Sequence, residues 1–305
     1  MTQPVDQAAE ASHTTGVAFV VAAALSAAVM VAMAKELVDG LPAGIVTFAR
    51  FFVQAVLLSL LFVVWRPKGD IRPRLSYFIR GALLGVSALA LFSSLLFMPL
   101  VDAIAISFAE PLILTILGAA FLKESISLRR SVALIIGFIG ALIVIRPSFV
   151  TVGAPALLPL AAAVCTAICV VITRAQNGKE EPRPMQFWIC IAGAVVIGCG
   201  LLLGSSGPIE ALQFVMPSSN QALGLLAIGA LATGVQMLTI AAIQRAPVGI
   251  LAPFWYFEII GVTLIGIGYF SEWPDTQTVF GICTIVSAGL YVWFREYRLR
   301  NQKQN

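Results

Sequence analysis

Charged residues are scarce in this sequence. Asp, Glu, Lys and Arg make up 11% of its 305 residues, against about 25% in an ordinary soluble domain. Hydrophobic residues make up 59%, and the mean hydropathy is +0.96. A single water-soluble core has no place for so much apolar surface, because the excess would face water. The composition therefore excludes an ordinary soluble protein and predicts an integral membrane protein.

Groups that carry catalysis or bind metals are also scarce. The one histidine, His13, lies in a polar N-terminal stretch, and the five cysteines lie inside apolar runs without Cys-x-x-Cys spacing. The sequence contains neither a phosphate-binding Gly-x-x-x-x-Gly-Lys-Ser/Thr loop nor a Gly-x-Ser-x-Gly elbow. We therefore expect no catalytic residue, no metal, no cofactor and no nucleic-acid partner, and ATP does not drive transport through this chain.

Ten apolar runs of about the length that a helix needs to cross a bilayer follow one another along the chain. They lie near residues 16–34, 43–65, 76–97, 101–122, 129–145, 154–173, 185–204, 221–242, 249–270 and 277–294. Hydrocarbon offers no hydrogen-bond partner to a free backbone amide, and the runs lack the alternation of barrel strands, so each should be helical. The predicted fold is all-α integral membrane with ten transmembrane helices.

The chain repeats itself after 148 positions. The segment PLVDAIAISFAEPLILTILGAAFLKE, from Pro99 to Glu124, aligns with PVGILAPFWYFEIIGVTLIGIGYFSE, from Pro247 to Glu272. The half of the chain to which each segment belongs contains five of the apolar runs. Because five is an odd number, the two halves cross the membrane in opposite senses. We therefore predict two inverted five-helix repeats. The predicted units are a tail at 1–15, repeats at 16–146 and 154–296, and a tail at 297–305.

Lys and Arg are distributed unevenly between the predicted loops. An even number of crossings puts both termini on one side, and that side holds 16 of the 19 Lys and Arg residues, Arg80 among them. The other side holds only Lys35 and Arg146. Because cytoplasmic loops carry such an excess, we expect a multi-pass inner-membrane protein with both termini in the cytoplasm. Its oligomeric state stays open.

Glu110 and Glu258 occupy the same place in the two repeats, about ten residues into an apolar run and so about halfway across a bilayer. A charge at this depth costs several kcal/mol unless it is paired or hydrated, and it therefore marks a functional site. A buried hydrogen bond between helices is the alternative. Pro111 and Pro253 remove backbone donors within these runs, so we expect bends there and a role in gating.

Polar and aromatic residues accompany the two carboxylates. Ser107 lies one turn before Glu110, and Trp255 takes the place of Ser107 before Glu258. The aromatic residues that precede Glu258 are Phe254, Trp255 and Tyr256. Aromatic rings next to a carboxylate suit a ligand that combines an apolar or aromatic group with an amine. Ordinary core packing is the alternative for Phe254 and Trp255.

The assignment of Lys and Arg to the loops leaves Arg50 as the one basic residue within a span, and it cannot lose its charge at any workable pH. It therefore requires an anion, backbone carbonyls or water, and the candidates are Glu110, at similar depth, and a substrate carboxylate. Gln54 lies one turn further on the same face. Gln236, in the eighth run, can donate a hydrogen bond into a cavity or to a neighbouring helix. A purely structural Arg50 also remains open.

The segment from Pro99 to Glu124 resembles the signature of the EamA branch of the drug/metabolite transporter superfamily. In that signature a Pro, an Ala-rich turn, a Glu-Pro pair and a terminal Leu-x-Glu recur in each half. Glu110 with Pro111 matches the pair in the first copy, whereas Ile259 replaces the Pro after Glu258 in the second. The resemblance extends over essentially the whole chain.

The resemblance implies a secondary transporter and not an enzyme. Its partners would be a small-molecule substrate and the lipid bilayer, and the transport mechanism would be alternating access between the two repeats. We expect it to export small metabolites, in the first place amino acids with aromatic or apolar side chains. A carrier for a larger metabolite or drug, such as riboflavin or S-adenosylmethionine, remains an alternative, as does a membrane sensor or scaffold.

Overall fold

Helices make up most of the structure, a computed structural model that describes residues 4–64, 72–122, 128–176, 181–204, 207, 209–246 and 248–304. No strand occurs in these ranges, as expected where the backbone must satisfy its own hydrogen bonds. The helices in chain order are α1 (Pro4–Val38), α2 (Ala43–Val64), α3 (Leu75–Ser94), α4 (Leu100–Ser107), α5 (Glu110–Leu122), α6 (Leu128–Val152), α7 (Leu158–Ala175), α8 (Pro182–Gly204), α9 (Ser219–Ile243), α10 (Val248–Leu251), α11 (Phe257–Gly268) and α12 (Thr276–Gln304).

Seven helical segments of the described chain are long and apolar enough to cross a membrane. They coincide with the first four predicted runs and with the sixth, seventh and eighth. Shorter apolar helices, at Ile135–Ile145, Pro253–Gly268 and Thr276–Ala288, coincide with the fifth, ninth and tenth runs. The all-α class is thus confirmed, while ten crossings remain a prediction.

The first and last helices are longer than the predicted spans. α1 begins at Pro4, ahead of the predicted start at residue 16, and α12 continues to Gln304, beyond the predicted end at residue 294. The residues that extend α1 include Ala, Gln and Glu, which are good helix formers without any need for burial. Most of each predicted tail is therefore helical.

The principal helix contacts join the two halves of the chain. α1 packs against α9 and α11, α2 against α8 and α9, and α3 against α7 and α8. α5 packs against α7, and α6 packs against α12. Each of these contacts pairs a helix that ends by Val152 with one that begins after Ala154, so the halves interleave around a shared core.

Glycines allow several of these helices to approach closely. A Cβ on Gly229 of α9 would lie 2.4 Å from the Cβ of Val53 in α2, and one on Gly81 of α3 would lie 2.5 Å from the carbonyl oxygen of Ile189 in α8. Gly234 of α9 has no such role, because a Cβ there would meet no atom within 4 Å.

Two of the helical runs are interrupted in the middle. α4 ends at Ser107 and α5 begins at Glu110, with a turn at Phe108 and Ala109 between them. In the second half, α10 leads into a 3-10 helix, Ala252–Tyr256, before α11 begins. Pro111 lies in the first turn of α5, and Pro253 lies in the first turn of the 3-10 helix. A backbone N–H at such a position would have no intrahelical partner, so a proline is tolerated there. Their role in gating remains a prediction.

Arg80 corrects the loop assignment made from the sequence. It lies inside α3, and its side chain is only 1% exposed. Its Nη2 donates to the sulfur of Met185 at 2.8 Å, and its guanidinium carbon lies 6.0 Å from the ring centroid of Tyr77. The side chain is buried because the close contact of α3 with α8 covers that face. Arg80 is therefore an interior cation and not a loop charge.

Candidate functional site

Glu110 and Glu258 lie directly after the two interruptions. Glu110 is the first residue of α5 and Glu258 the second residue of α11, where the exposed backbone N–H groups of a helix start favour negative charge. Both side chains are half-buried. Neither carboxylate has a hydrogen-bond or ion-pair partner in the described part of the chain.

The two carboxylates interact electrostatically with each other, although they come from different halves. Glu258 also interacts with Arg50 of α2, and Arg50 with Cys190 of α8. Glu110 interacts with Cys169 of α7. The structure therefore brings Arg50, Glu110 and Glu258 into one region, the central cluster, where helices of both halves meet.

Arg50 has no counter-ion in direct contact among the residues that the structure describes. Its Nε is buried without a hydrogen-bond partner, and its guanidinium carbon lies 5.1 Å from the ring centroid of Phe51 and 5.9 Å from that of Phe92. Such rings stabilise a cation only partly. No hydrogen bond or ion pair joins Arg50 to its candidate partner Glu110 within the described chain, and Glu258 is the carboxylate with which Arg50 interacts electrostatically.

The rings of Phe108 and Tyr256 stack where the two interruptions meet, with centroids 5.4 Å apart and planes inclined by 28°. Sequence reasoning identified Tyr256 but missed Phe108. A signal was available, because Phe108 and Tyr256 are themselves separated by 148 positions, as Glu110 and Glu258 are. An aromatic pair therefore lies two residues before the carboxylates.

The structure places Phe254 and Trp255 differently from Tyr256. Both half-buried rings pack against a cluster formed by Val20 of α1 and by residues near the end of α9 and in α10, namely Ala242, Ala246 and Leu251. The ring of Phe254 also stacks on that of Phe257, with centroids 6.4 Å apart. The packing alternative thus has observed partners for both side chains.

The neutral polar candidates have different partners. Gln54 is 3% exposed, and its Nε2 donates to the carbonyl oxygen of Ala232 at 3.3 Å, which links α2 to α9. The hydroxyl of Ser107 donates to the carbonyl oxygen of Ala103 at 2.9 Å, one turn back in α4. Gln236 is half-buried and has no hydrogen bond in the described chain. Gln236 is thus the neutral candidate whose donors remain available to a ligand.

A second charged cluster lies at the C-terminal end of α1. Lys35 forms an ion pair with Glu272, and its Nζ also donates to the carbonyl oxygen of Met98 at 3.4 Å and lies 5.3 Å from the ring centroid of Phe270. The other carboxylate oxygen of Glu272 accepts from the backbone N–H of Leu100 at 2.8 Å, at the start of α4. We call Lys35, Met98, Leu100 and Glu272 the loop cluster. The predicted counterpart positions Glu124 and Pro247 lie outside the described residues.

A groove of about 460 Å³ lies between α1 and α11. It is mainly apolar and is lined by residues such as Val29, Met33, Leu264 and Tyr269, with Glu36 as its charged member. None of the predicted site residues lines it, so this groove is separate from the central cluster. No group of three or more His, Cys, Asp or Glu side chains suited to a metal occurs among the residues that the structure describes.

Comparison with known proteins gives one family and several relatives. The family described as EamA-like transporter family matches twice, at residues 14–146 and 154–294. An S-adenosylmethionine uptake transporter of Rickettsia felis is 26% identical over 294 residues, which cover 96% of this chain and 97% of the relative. A pseudopaline exporter of Pseudomonas aeruginosa is 27% identical over 280 residues, which cover 90% of this chain and 94% of the relative.

One further relative and one solved structure are also similar to this chain. A riboflavin transporter of Rhizobium johnstonii is 27% identical over 217 residues, which cover 71% of this chain and 68% of the relative. A solved crystal structure superposes with a TM-score of 0.63, at 15% identity, over 95% of this chain and 99% of that chain. At this identity the structural likeness concerns the fold alone.

Proposed function

Because the chain belongs to the EamA-like transporter family, a multi-pass membrane family of transporters and not of enzymes, we propose that it is a secondary carrier for a metabolite bearing both a carboxylate and a cationic group. The observation that carries this proposal is the central cluster, in which a guanidinium and two carboxylates lie in the interior without direct partners in the described part of the chain. Buried charges are retained where they serve a substrate or ion pathway. The chemistry of these groups indicates what they bind.

Each charged group of the central cluster suits one part of such a ligand. The guanidinium of Arg50 offers paired N–H donors that match a carboxylate, and charge-assisted bonds of this kind are about twice as strong as neutral ones. Glu110 and Glu258 accept from an ammonium group. The rings of Phe108 and Tyr256, which lie beside the two carboxylates, offer an apolar surface to the rest of the ligand.

The relatives bear on the size of the substrate. They are named for S-adenosylmethionine uptake, pseudopaline export and riboflavin transport, and amino-acid export is not among these names. We therefore propose a metabolite larger than a free amino acid. S-adenosylmethionine illustrates the class, since it joins an amino-acid group to a sulfonium and an aromatic base. The names include both uptake and export, so the direction of transport stays open.

Alternating access between inverted repeats is the mechanism that we propose. The family matches each half of the chain separately, which supports a duplication. Residues that a two-fold axis relates touch each other only at that axis, and Phe108 stacks on Tyr256, its equivalent after 148 positions. This contact supports a pseudo-two-fold axis through the two interruptions. Sites of inverted-repeat carriers lie near such an axis.

The predicted topology has support from contacts between loops. Lys35 pairs with Glu272, and the Nε2 of Gln221 donates to the carbonyl oxygen of Gly40 at 3.3 Å, and the topology places all four residues toward one side. We propose that this side is the outer one, because the other side holds the basic excess. Reporter fusions after Lys303 should then be active as cytoplasmic reporters, and fusions after Gly207 as periplasmic ones. The reverse activities would contradict the orientation.

The proposed function is tested by a thermal-shift screen of the purified protein against S-adenosylmethionine, riboflavin and amino acids. A ligand at one hundred times its dissociation constant stabilises the folded state by about 2.7 kcal/mol. Arg50→Met should abolish the shift for ligands that carry a carboxylate. Arg245→Met is the matched control, because Arg245 is exposed and its guanidinium lies over the ring of Phe19 in α1. A carboxylate ligand that binds the Arg50→Met variant unchanged would contradict the proposed role of Arg50.

A further inference from the structure

The groove between α1 and α11 exists because these two helices diverge. They cross closely at Gly261, where a Cβ would lie 2.8 Å from the Cβ of Ala28 and 3.3 Å from the Cδ2 of Leu25 in α1. A Cβ on Gly268, at the end of α11, would meet no atom within 4 Å. The residues from Gly261 to Gly268 cover about 10 Å of helix. The groove of about 460 Å³ occupies the space that opens over this length.

The groove is open at the surface of the protein, within the part that a bilayer surrounds. On the side of α1 it is lined by Val29, Ala32, Met33 and Glu36, which share one helical face. All four belong to the segment His13–Val38, which is long and apolar enough to cross a membrane. Val29 and, on the other wall, Leu264 are exposed. Because exposed apolar side chains at this level face lipid, acyl chains have access to the groove.

Polar groups lie at one end of this apolar groove. Glu36 is exposed near the end of α1 and has no hydrogen-bond or ion-pair partner in the part of the chain that the structure describes. The ammonium of the preceding residue, Lys35, is engaged by Glu272. Tyr269 is 68% exposed, and its hydroxyl makes no hydrogen bond to any described residue. A carboxylate and a hydroxyl donor therefore lie at the level where hydrocarbon gives way to lipid headgroups.

We propose that the groove binds a phospholipid whose headgroup carries a primary ammonium, such as phosphatidylethanolamine, from the leaflet on the side of the loop cluster. One acyl chain lies along the apolar walls, Glu36 accepts hydrogen bonds from the ammonium, and the hydroxyl of Tyr269 donates to the phosphodiester. The volume of the groove lies within the range of about 300 to 1,000 Å³ that is usual for ligand pockets. Its walls also lose dispersion contacts if nothing fills it.

The charge of the groove selects this headgroup among the common ones. Anionic lipids are recognised by Lys and Arg, whereas the residues that line this groove include neither and contribute the carboxylate of Glu36. Phosphatidylglycerol would therefore bring a like charge to Glu36. Phosphatidylcholine has a cationic nitrogen but no N–H to donate, and charge-assisted hydrogen bonds are about twice as strong as neutral ones. The expected order of affinity is phosphatidylethanolamine, then phosphatidylcholine, then phosphatidylglycerol.

Native mass spectrometry of the purified full chain in detergent, titrated with these three lipids carrying identical acyl chains, tests the headgroup preference. The wild type should bind one phosphatidylethanolamine about tenfold more tightly than phosphatidylglycerol, as one hydrogen bond between charged groups allows. Glu36→Gln should remove most of this preference. Glu210→Gln is the matched control, because Glu210 is also an exposed acid but lies between α8 and α9 and does not line the groove. This variant should keep the preference.

A second variant tests the place of the acyl chain. Gly268→Leu puts a side chain into the open end of the groove and should weaken the binding of phosphatidylethanolamine about tenfold, because the acyl chain then loses part of its apolar contact. Gly234→Leu in α9 is the matched control, since a Cβ there also meets no atom within 4 Å. Equal melting temperatures of the two variants in lipid-free detergent show that both are folded.

Two results would overturn the lipid site. One is a wild type that binds phosphatidylglycerol as tightly as phosphatidylethanolamine, which needs no variant to be measured. The other is a folded Gly268→Leu variant that binds phosphatidylethanolamine as the wild type does. Neither measurement involves a transported metabolite, so the lipid site and the proposed function are decided separately.

Discussion

The loop cluster and the central cluster each contain a basic side chain and at least one carboxylate. These groups have direct partners in the loop cluster, whereas in the central cluster they have none in the described chain. In the loop cluster, the ammonium of Lys35 pairs with Glu272 and the backbone of Met98, and the second oxygen of Glu272 accepts from Leu100. In the central cluster, neither Glu110 nor Glu258 has a direct partner in the described chain. A satisfied charge network fixes structure, whereas unpaired charges cost stability and are retained for function.

The two clusters illustrate a structural and a functional role of a buried carboxylate, and burial alone does not distinguish these roles. Glu272 joins α1, the start of α4 and the segment after α11, and therefore holds parts of both halves together. Glu258 belongs to the same repeated segment, from Pro247 to Glu272, but it has only electrostatic interactions. Removal of a charge should therefore have opposite effects at the two places.

The largest expected effect is at the loop cluster. Lys35→Met leaves the carboxylate of Glu272 without its counter-ion, and the side chain of Glu272 is only 23% exposed. We expect the free energy of unfolding to fall by about 3 kcal/mol. The double variant Lys35→Met/Glu272→Met should lose less than Lys35→Met alone, because no charge is then left buried. Unfolding in detergent measures both, and losses that simply add would show that the two side chains are independent.

At the central cluster we expect the opposite sign for stability. Glu110→Gln and Glu258→Gln each remove a carboxylate that has no hydrogen-bond or ion-pair partner in the described chain. Glu110→Gln leaves Arg50 and Glu258 together, so it should raise the free energy of unfolding by about 1 to 2 kcal/mol. The ligand-induced thermal shift should be lost in the same variants. The same unfolding assay, run beside Lys35→Met, makes the comparison direct. A marked loss of stability in either Gln variant would assign that glutamate to the structural class.

Substitution of an aromatic residue before Glu258 should change the free energy of unfolding by a similar amount. Trp255→Ala removes a half-buried ring from the cluster around Val20, and full burial of such a ring is worth about 3 to 5 kcal/mol, so we expect a loss of about 2 kcal/mol. Transport of bulky and small substrates should fall alike. Tyr256→Ala should instead change the ratio between them, because Tyr256 lies at the interruption. A changed ratio in Trp255→Ala would place that residue in the substrate site.

Gln54→Leu should have the smallest effect. It removes the hydrogen bond from Gln54 to the carbonyl oxygen of Ala232, and a net loss of about 1 kcal/mol is typical of one such bond. Substrate affinity should not change if the bond is purely structural. A weaker ligand-induced shift at unchanged stability would restore Gln54 to the candidate site.

Much of the site was predictable because it depends on local patterns. The depth of Glu110 and Glu258 within apolar runs and their separation by 148 positions are visible in the sequence. The two carboxylates follow helix interruptions, and a proline lies near each interruption. The surroundings of Trp255 were not predictable in the same way. Its spacing from Glu258 suits a common face, but the 3-10 helix before α11 and the proximity of α1 direct the ring to Val20.

The sequence alone determined the helical class, the location of the apolar runs and the duplication of the unit, because hydrocarbon admits only backbones that satisfy themselves and because these patterns are local. The tertiary structure decided which charges meet. Lys35 and Glu272 are 237 positions apart, Arg50 interacts electrostatically with Glu258 of the other half, and Arg80 is buried against α8. The interleaving of the halves controls these pairings, since it brings helices together that no local pattern relates.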